Sequence, residues 1–336
     1  MRKFPAIFAA FIIAGCAGNA TPNATMAGLS QSDAPRAAGG PPVVSGCQIF
    51  PAATTPATGE NWWNADVSKL PLDPNSNNYI AALPGNLHPD FGQNPTYGIP
   101  FIVVPATQKK VPVTFGYVSE SNKGPYPIPP NAPVEGGANA SGDRHVLVLQ
   151  QGAQPGSPCK LYEMYSAYPK NGGKSWRAQA GAVWNLSSNA LRPNGWTSAD
   201  AAGLAIFPAL IKCDEVAAGV INHALRVTFG SSQDDYIHPA THFASSDTNK
   251  NLPPMGLRFR LKASFAVSKL HGQSKIIATA MQKYGMMMAD NGSNWYFQGE
   301  GTGNNKKTCW NDNDLDQLKS IPGSDFEVVQ TGPIIK

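Results

Sequence analysis

The sequence predicts an α+β fold, mainly an antiparallel β-sandwich with a few short helices. Three observations predict it. Short β-branched and aromatic runs bounded by Gly, Pro or Asn dominate the first half of the chain. Helical periodicity is confined to a few segments. Glycine (33) and proline (30) are abundant among 336 residues but are spread through apolar segments, as in a loop-rich folded domain and not a disordered one.

The strands follow in order. "FIVVP" (101–105), "VPVTFGYV" (111–118), "RHVLVLQ" (144–150), "KLYEMYSAY" (160–168) and "GAVWNL" (181–186) are rich in β-branched or aromatic residues. "HALRVTF" (223–229) and "GLRFRLKA" (256–263) come later, the second with Leu257, Phe259 and Leu261 alternating against Arg258, Arg260 and Lys262. "MMMADNGSNWYF" (286–297) reads as a hairpin with Asn291-Gly292 at its turn, where both central residues need a positive φ. Helices are expected over 74–83, over 198–206 with Ser198 as N-cap, and over 214–221. Another is expected over 274–285, with Ile276, Ile277, Ala280, Met281 and Tyr284 on one face and Gly285 as its stop. The last is a short one over 312–320. A strand-rich chain with few helices is best served by an α+β domain around a sandwich.

Residues 1–15 read as a signal peptide. Arg2 and Lys3 precede an apolar stretch too short to span a bilayer as a mature helix. It ends in Ile13-Ala14-Gly15-Cys16, which resembles the bacterial lipobox. That resemblance implies lipid attachment to Cys16 and cleavage just before it. Ala17 and Gly18 follow, with no aspartate to suggest retention at an inner membrane. The expected address is therefore the cell envelope through a lipid anchor, at the outer membrane in a Gram-negative cell, or the extracellular space. Residues 16–46, rich in Ala, Gly, Pro, Ser and Thr, read as a flexible tether, and 47–333 as one β-rich domain.

Composition narrows the function classes. The formal charge of +4 falls to +2 once Arg2 and Lys3 leave the 26 basic residues that face 22 acids. No basic run favours nucleic acid. Cys47, Cys159, Cys213 and Cys309 remain after Cys16, so export makes two disulfides plausible, with three possible pairings. No cysteine has a zinc spacing. GxSxG, P-loop and GxGxxG patterns are absent, which disfavours α/β-hydrolases and nucleotide cofactors. No cofactor and no metal is expected.

The stretch "SGDRHVLVLQ" carries the reactive candidates. Alternation puts Asp143 and His145 on one strand face and Arg144 on the other. If 144–150 and 160–168 form a hairpin, Glu163 and Tyr165 can stand beside His145. An imidazole, a carboxylate, a phenol and a guanidinium on one concave sheet suit a glycan-cleaving enzyme. A lyase needs a base, a cation or amide for the uronate carboxylate, and an acid; a hydrolase needs two carboxylates, which Glu163 with Asp143 or Glu135 could provide. The plainer account is an Arg144–Glu163 inter-strand ion pair with His145 in the core.

Adjacent Trp62 and Trp63 would point to opposite faces of a strand, so that one is free to stack on sugar rings; the plainer account is that they plug cores. Tyr126 lies in a proline-rich loop that could cover a groove. His238 and His242 have helical metal spacing, but Pro239 argues against a helix, and His242 is kept as a substrate contact. "NDNDLDQ" starts like a calcium loop but has Gln317 and Gly323 at the key sixth and twelfth positions, so helix capping explains it better.

Ten strings, among them "WNADVSKLPLDPNSNNYIAAL", "DRHVLVLQ", "CKLYEMYSAYP", "LRPNGWTSADAAGLAIFP" and "KYGMMMADNGSNWY", together resemble a family of secreted or lipid-anchored microbial proteins with no assigned mechanism. The likeness covers most of 47–330. It implies one continuous domain and assigns no catalytic residue. The expectation is a polysaccharide-cleaving surface lipoprotein, hydrolase or lyase, whose partners are an extracellular or envelope glycan and the membrane that holds its anchor. The alternative is a non-catalytic glycan-binding or envelope-structure lipoprotein; a partner-binding lipoprotein of an export machine is a third.

Overall fold

The computed structural model describes residues 40–53, 56, 59–302 and 308–336. Cys16, the signal peptide and most of the tether lie outside the described residues. The strands are β1 (Val43–Val44), β2 (Cys47–Gln48), β3 (His88–Pro89), β4 (Phe101–Val104), β5 (Val113–Phe115), β6 (Val146–Gln150), β7 (Lys160–Tyr165) and β8 (Tyr168–Lys170). They continue as β9 (Ser175–Ala178), β10 (Ala180–Asn185), β11 (Leu225–Phe229), β12 (Arg258–Leu261), β13 (Met286–Asn291), β14 (Tyr296–Phe297) and β15 (Phe326–Val329). The helices are α1 (Ser76–Ala81), α2 (Cys213–Ala217), α3 (Gly272–Lys283) and α4 (Asp312–Asp316), joined by short 3₁₀ turns.

Two sheets form the body. One has the order β10-β7-β6-β4 and the other β15-β12-β13-β11-β14-β3. Antiparallel pairings predominate, but β4–β6, β5–β9, β11–β13 and β3–β14 are parallel. The expected α+β class with mostly antiparallel strands therefore holds.

Strand β6 is buried on both faces. Leu147 and Leu149 join the main core with Leu225, Phe259, Met286 and α3's Ile277. Val146 and Val148 face a second core with Tyr162, Met164 and Trp176, beneath the small sheet β5-β9-β8. A strand covered on both sides reads as a continuous apolar run, as "VLVL" does. Disulfides Cys47–Cys159 and Cys213–Cys309 settle which of the three pairings forms, with Cα atoms 5.7 Å apart in each. They indicate an oxidising compartment, extracellular or in the envelope. No helix among the described residues is long and apolar enough to cross a membrane.

Three local expectations are corrected. Segment 286–297 is not a hairpin, because β11 lies between β13 and β14. Neither Asn291 nor Gly292 has a positive φ, and the Gly292 amide donates instead to Phe229 O. Segment 198–206 is not an α-helix. Ser198 Oγ accepts from the Asp200 amide and donates to Leu204 O, while Gly203 takes φ +72°, so side-chain bonding closes a turn in place of a helix. Finally, Trp62 and Trp63 are each only 1% exposed. Trp62 packs under the buried guanidinium of Arg258, 4.2 Å from its ring centroid, and Trp63 sits in the main core. Neither offers a face to a sugar.

Candidate functional site

β6 and β7 do form the expected antiparallel hairpin, and its register sets the depth of each candidate. Leu149 pairs with Leu161 and Leu147 with Glu163, so Glu163 lies inside the main core face. Tyr165, two residues on and one step nearer the open end, is half-exposed. The strand begins only at Val146, because Arg144 turns the chain with φ +53°. That turn separates Asp143 from the alternation that would have carried it along the strand.

Glu163 is therefore not a groove residue. Its carboxylate accepts from the Phe207 amide (2.8 Å), the Ile206 amide (3.0 Å) and Trp184 Nε1 (3.1 Å). Burial pushes its pKa up to about 7, against the pull of those three donors. Arg144 is also buried. It donates to the carbonyls of Ala138, Ala140 and Ala167 and stacks 4.3 Å from the Tyr168 centroid, so it clamps a loop and makes no ion pair with Glu163. Tyr126 is fully buried, its hydroxyl donating to Asn122 O, with Phe115 and Tyr162 against its ring.

His145 is 2% exposed. Nδ1 lies 2.7 Å from Glu135 Oε2 and Nε2 3.0 Å from Ala199 O. Both neighbours accept, so both ring nitrogens carry protons. Burial opposes the charge, but the Glu135 carboxylate outweighs it and raises the pKa to about 9. His145 is thus an imidazolium that holds Ala199 from behind.

Ala199 belongs to the floor of an open cleft of about 450 Å³. Residues 197–201 form that floor; Tyr165 and Ala180 contribute from the ends of β7 and β10, and Asp290 and Asn291 from the end of β13. Tyr117, Glu120, Asp143 and His242 complete the lining. The structure thus brings Asp143, Tyr165 and His242 to one cleft, puts His145 just behind its floor, and keeps Glu163, Arg144, Trp62, Trp63 and Tyr126 out of it.

Two acids that the sequence reading passed over define its electrostatics. Asp200, in the floor, is held by Arg226 of β11 through Nε–Oδ2 (3.0 Å) and Nη2–Oδ1 (2.6 Å). Asp290 emerges where β13 leaves the core. A register shift against β11 between Val227 and Thr228 skips Ala289, whose carbonyl accepts the Ala202 amide. Such irregularities re-aim side chains beside functional sites. Burial, then the Asp200 charge, pushes the Asp290 pKa up to about 7, while Arg226 and the Asn291 amide restrain it. In the sequence, the available signal is a lone acid ending the apolar run "MMMAD".

His242 donates through Nδ1 to Ala201 O at 2.9 Å and turns Nε2 toward Glu120 Oε2 at 4.0 Å. Phe243, exposed, lies parallel to it with centroids 5.7 Å apart. His238 bonds Asn194 Oδ1 instead, so the two histidines serve different partners. Among the described residues no group of three or more His, Cys, Asp or Glu side chains could hold a metal ion.

Comparison with protein families, curated proteins and solved structures returned no match to this chain.

Proposed function

We propose that this chain is an exported, lipid-anchored glycoside hydrolase that uses Asp290 as its general acid and Asp143 as the second carboxylate. One observation carries the reading. Asp290 lines an open cleft with a pKa raised to about 7, in company with another carboxyl group on the same cleft. Carboxyl groups in unlike surroundings are how such enzymes divide acid from base or nucleophile. The Asp290 O–H would donate to the glycosidic oxygen as its bond to the anomeric carbon breaks, the electron pair leaving on that oxygen. The Asp143 carboxylate would take a proton from the water whose oxygen bonds to the anomeric carbon as the glycosidic oxygen leaves with the Asp290 proton. Tyr117 and Tyr165 supply aromatic surface for sugar rings. The lipobox at Cys16 and the two disulfides agree with a life outside the cytoplasm.

The test is reducing-end release from a panel of polysaccharides by the wild type, Asp290→Asn and Asp143→Asn. Each substitution should cost about 10²–10⁴-fold in kcat. With Asp290 as the acid, the wild-type kcat should fall as pH rises through about 7. Wild-type turnover in Asp290→Asn, or glycan binding by the wild type with no release of reducing ends, would overturn the assignment.

A further inference from the structure

The cleft's charges have a consequence for its substrate, one that rests on the hydrolase reading above. Glu120, Asp143 and Asp290 line it with their acids, the Asp200 carboxylate lies buried against Arg226 beneath the floor, and no lysine or arginine lines it among the described residues. The nearby cations are committed elsewhere. Arg226 is bidentate on Asp200. Arg192 donates to Thr197 O, Asn122 Oδ1 and Glu120 O. His145 is held between Glu135 and Ala199 O behind the floor. The one basic side chain on the lining, His242, already spends Nδ1 on Ala201 O and faces Glu120 with Nε2. A uronate carboxylate or a sugar sulfate entering here would lose its hydration and meet like charge with no free counter-ion, an uncompensated desolvation.

Aromatic side chains make the complementary case. Tyr117 on the lining is 51% exposed, and Phe243 beside His242 is 37% exposed. They are two of the few large hydrophobic side chains that the described residues leave open; Tyr117 lies on the lining and Phe243 stacks on the lining residue His242. Exposed rings offer an apolar face to the C–H faces of pyranose rings, while the carboxylates accept from sugar hydroxyls.

We infer that the cleft selects an uncharged sugar chain and rejects polyuronates and sulfated glycans, with Tyr117 and Phe243 as the ring platforms at its rim. This also argues against a lyase: no lysine or arginine among the described residues lines the cleft to neutralise a uronate carboxylate, and Asn291, the side-chain amide on the lining, donates Nδ2 to Ala244 O.

The test is calorimetric titration of the full-length Asp290→Asn protein, which lacks the proposed general acid and so leaves its probes uncleaved. The probes are N-acetylchitohexaose, laminarihexaose and xylohexaose against hexagalacturonate and a hyaluronan hexasaccharide. At least one uncharged probe should bind about tenfold or more tighter than either acidic one. Tyr117→Ala and Phe243→Ala, at exposed positions, should each weaken that binding about tenfold, or ~1.4 kcal/mol. Acidic probes binding as tightly, no uncharged probe binding, or both ring variants binding like their parent would overturn the inference. Its failure is separable from that of the hydrolase reading. An uncharged chain bound but never cleaved by the wild type sinks the hydrolase and leaves the selectivity standing; a polyuronate cleaved does the reverse.

Discussion

Glu163 sets a carboxylate opposite Leu147, inside the main core, and answers it with two backbone amides and an indole N–H. All three neighbours donate, so the site is built for an acceptor. Glu163→Gln would turn an amide N–H₂ toward at least one of these donors and leave buried polar groups unpaired. We expect a loss of about 1–3 kcal/mol in unfolding free energy, read from urea denaturation, and wild-type kcat in the folded fraction. A large fall in kcat with unchanged stability would instead return Glu163 to the chemistry. The sequence could show that an acid interrupts "KLYEMY", but not its depth. Depth follows from pairing register and from Ile206 and Phe207, more than forty residues away along the chain, which bring the donors. His145 was legible as a special residue for the same partial reason. Its position before an apolar strand is local, whereas its partners Glu135 and Ala199 come from two separate loops.

At the scale of elements, local patterning carried far. The hairpin β6–β7, the amphipathic α3 and the apolar strands β10, β11 and β12 all follow from periodicity and flanking Gly, Pro or Asn. What failed was whatever depended on a distant partner. β11 enters between β13 and β14 and overrides the Asn-Gly hairpin signal. Asp200 was hidden in an apparent helix, because its commitment to Arg226 and the turn bonded by Ser198 are tertiary facts. Asp290 was hidden in the apparent hairpin. The disulfide pairing could not be chosen from spacing, yet it has a measurable consequence. Cys213–Cys309 joins the start of α2 to a segment 96 residues away. Closing a loop of that length restricts the unfolded chain, and bridges of this kind typically add about 2–4 kcal/mol. Cys213→Ser with Cys309→Ser should therefore lower the Tm by roughly 5–10 °C in a calorimetric scan. An unchanged Tm in the double variant, with Cys47–Cys159 still oxidised, would show that the bridge adds nothing to the folded state.

Over the whole molecule, the buried acids and His145 combine into one pH dependence. Burial pushes Glu163, Asp290 and Glu300 each up to about 7. For these groups the folded protein holds protons that the unfolded chain releases near pH 4, so their contribution is complete below that value and is lost as pH rises through about 7. His145 moves the same way over a later window. Burial works against its charge, but Glu135 raises its pKa to about 9, so its contribution is complete below about 6.5 and is lost as pH rises through about 9. The opposite sign belongs to Glu135, which burial would raise but His145 holds below the usual carboxylate range. It belongs also to Asp234, where Lys250 and Lys336 prevail over desolvation. Those two contribute above about pH 4 and lose their contribution in acid. Stability should therefore peak near pH 5 and decline on the alkaline side, with the Tm falling by roughly 5–10 °C between about pH 5.5 and pH 9 in a scanning fluorimetry series. His145→Gln should flatten the part of that decline above about pH 7, since Glu163, Asp290 and Glu300 have already released their protons there. A Tm that rises from pH 5.5 to pH 9 would mean that the buried carboxylates are ionised throughout, and Asp290 would then have no proton to give.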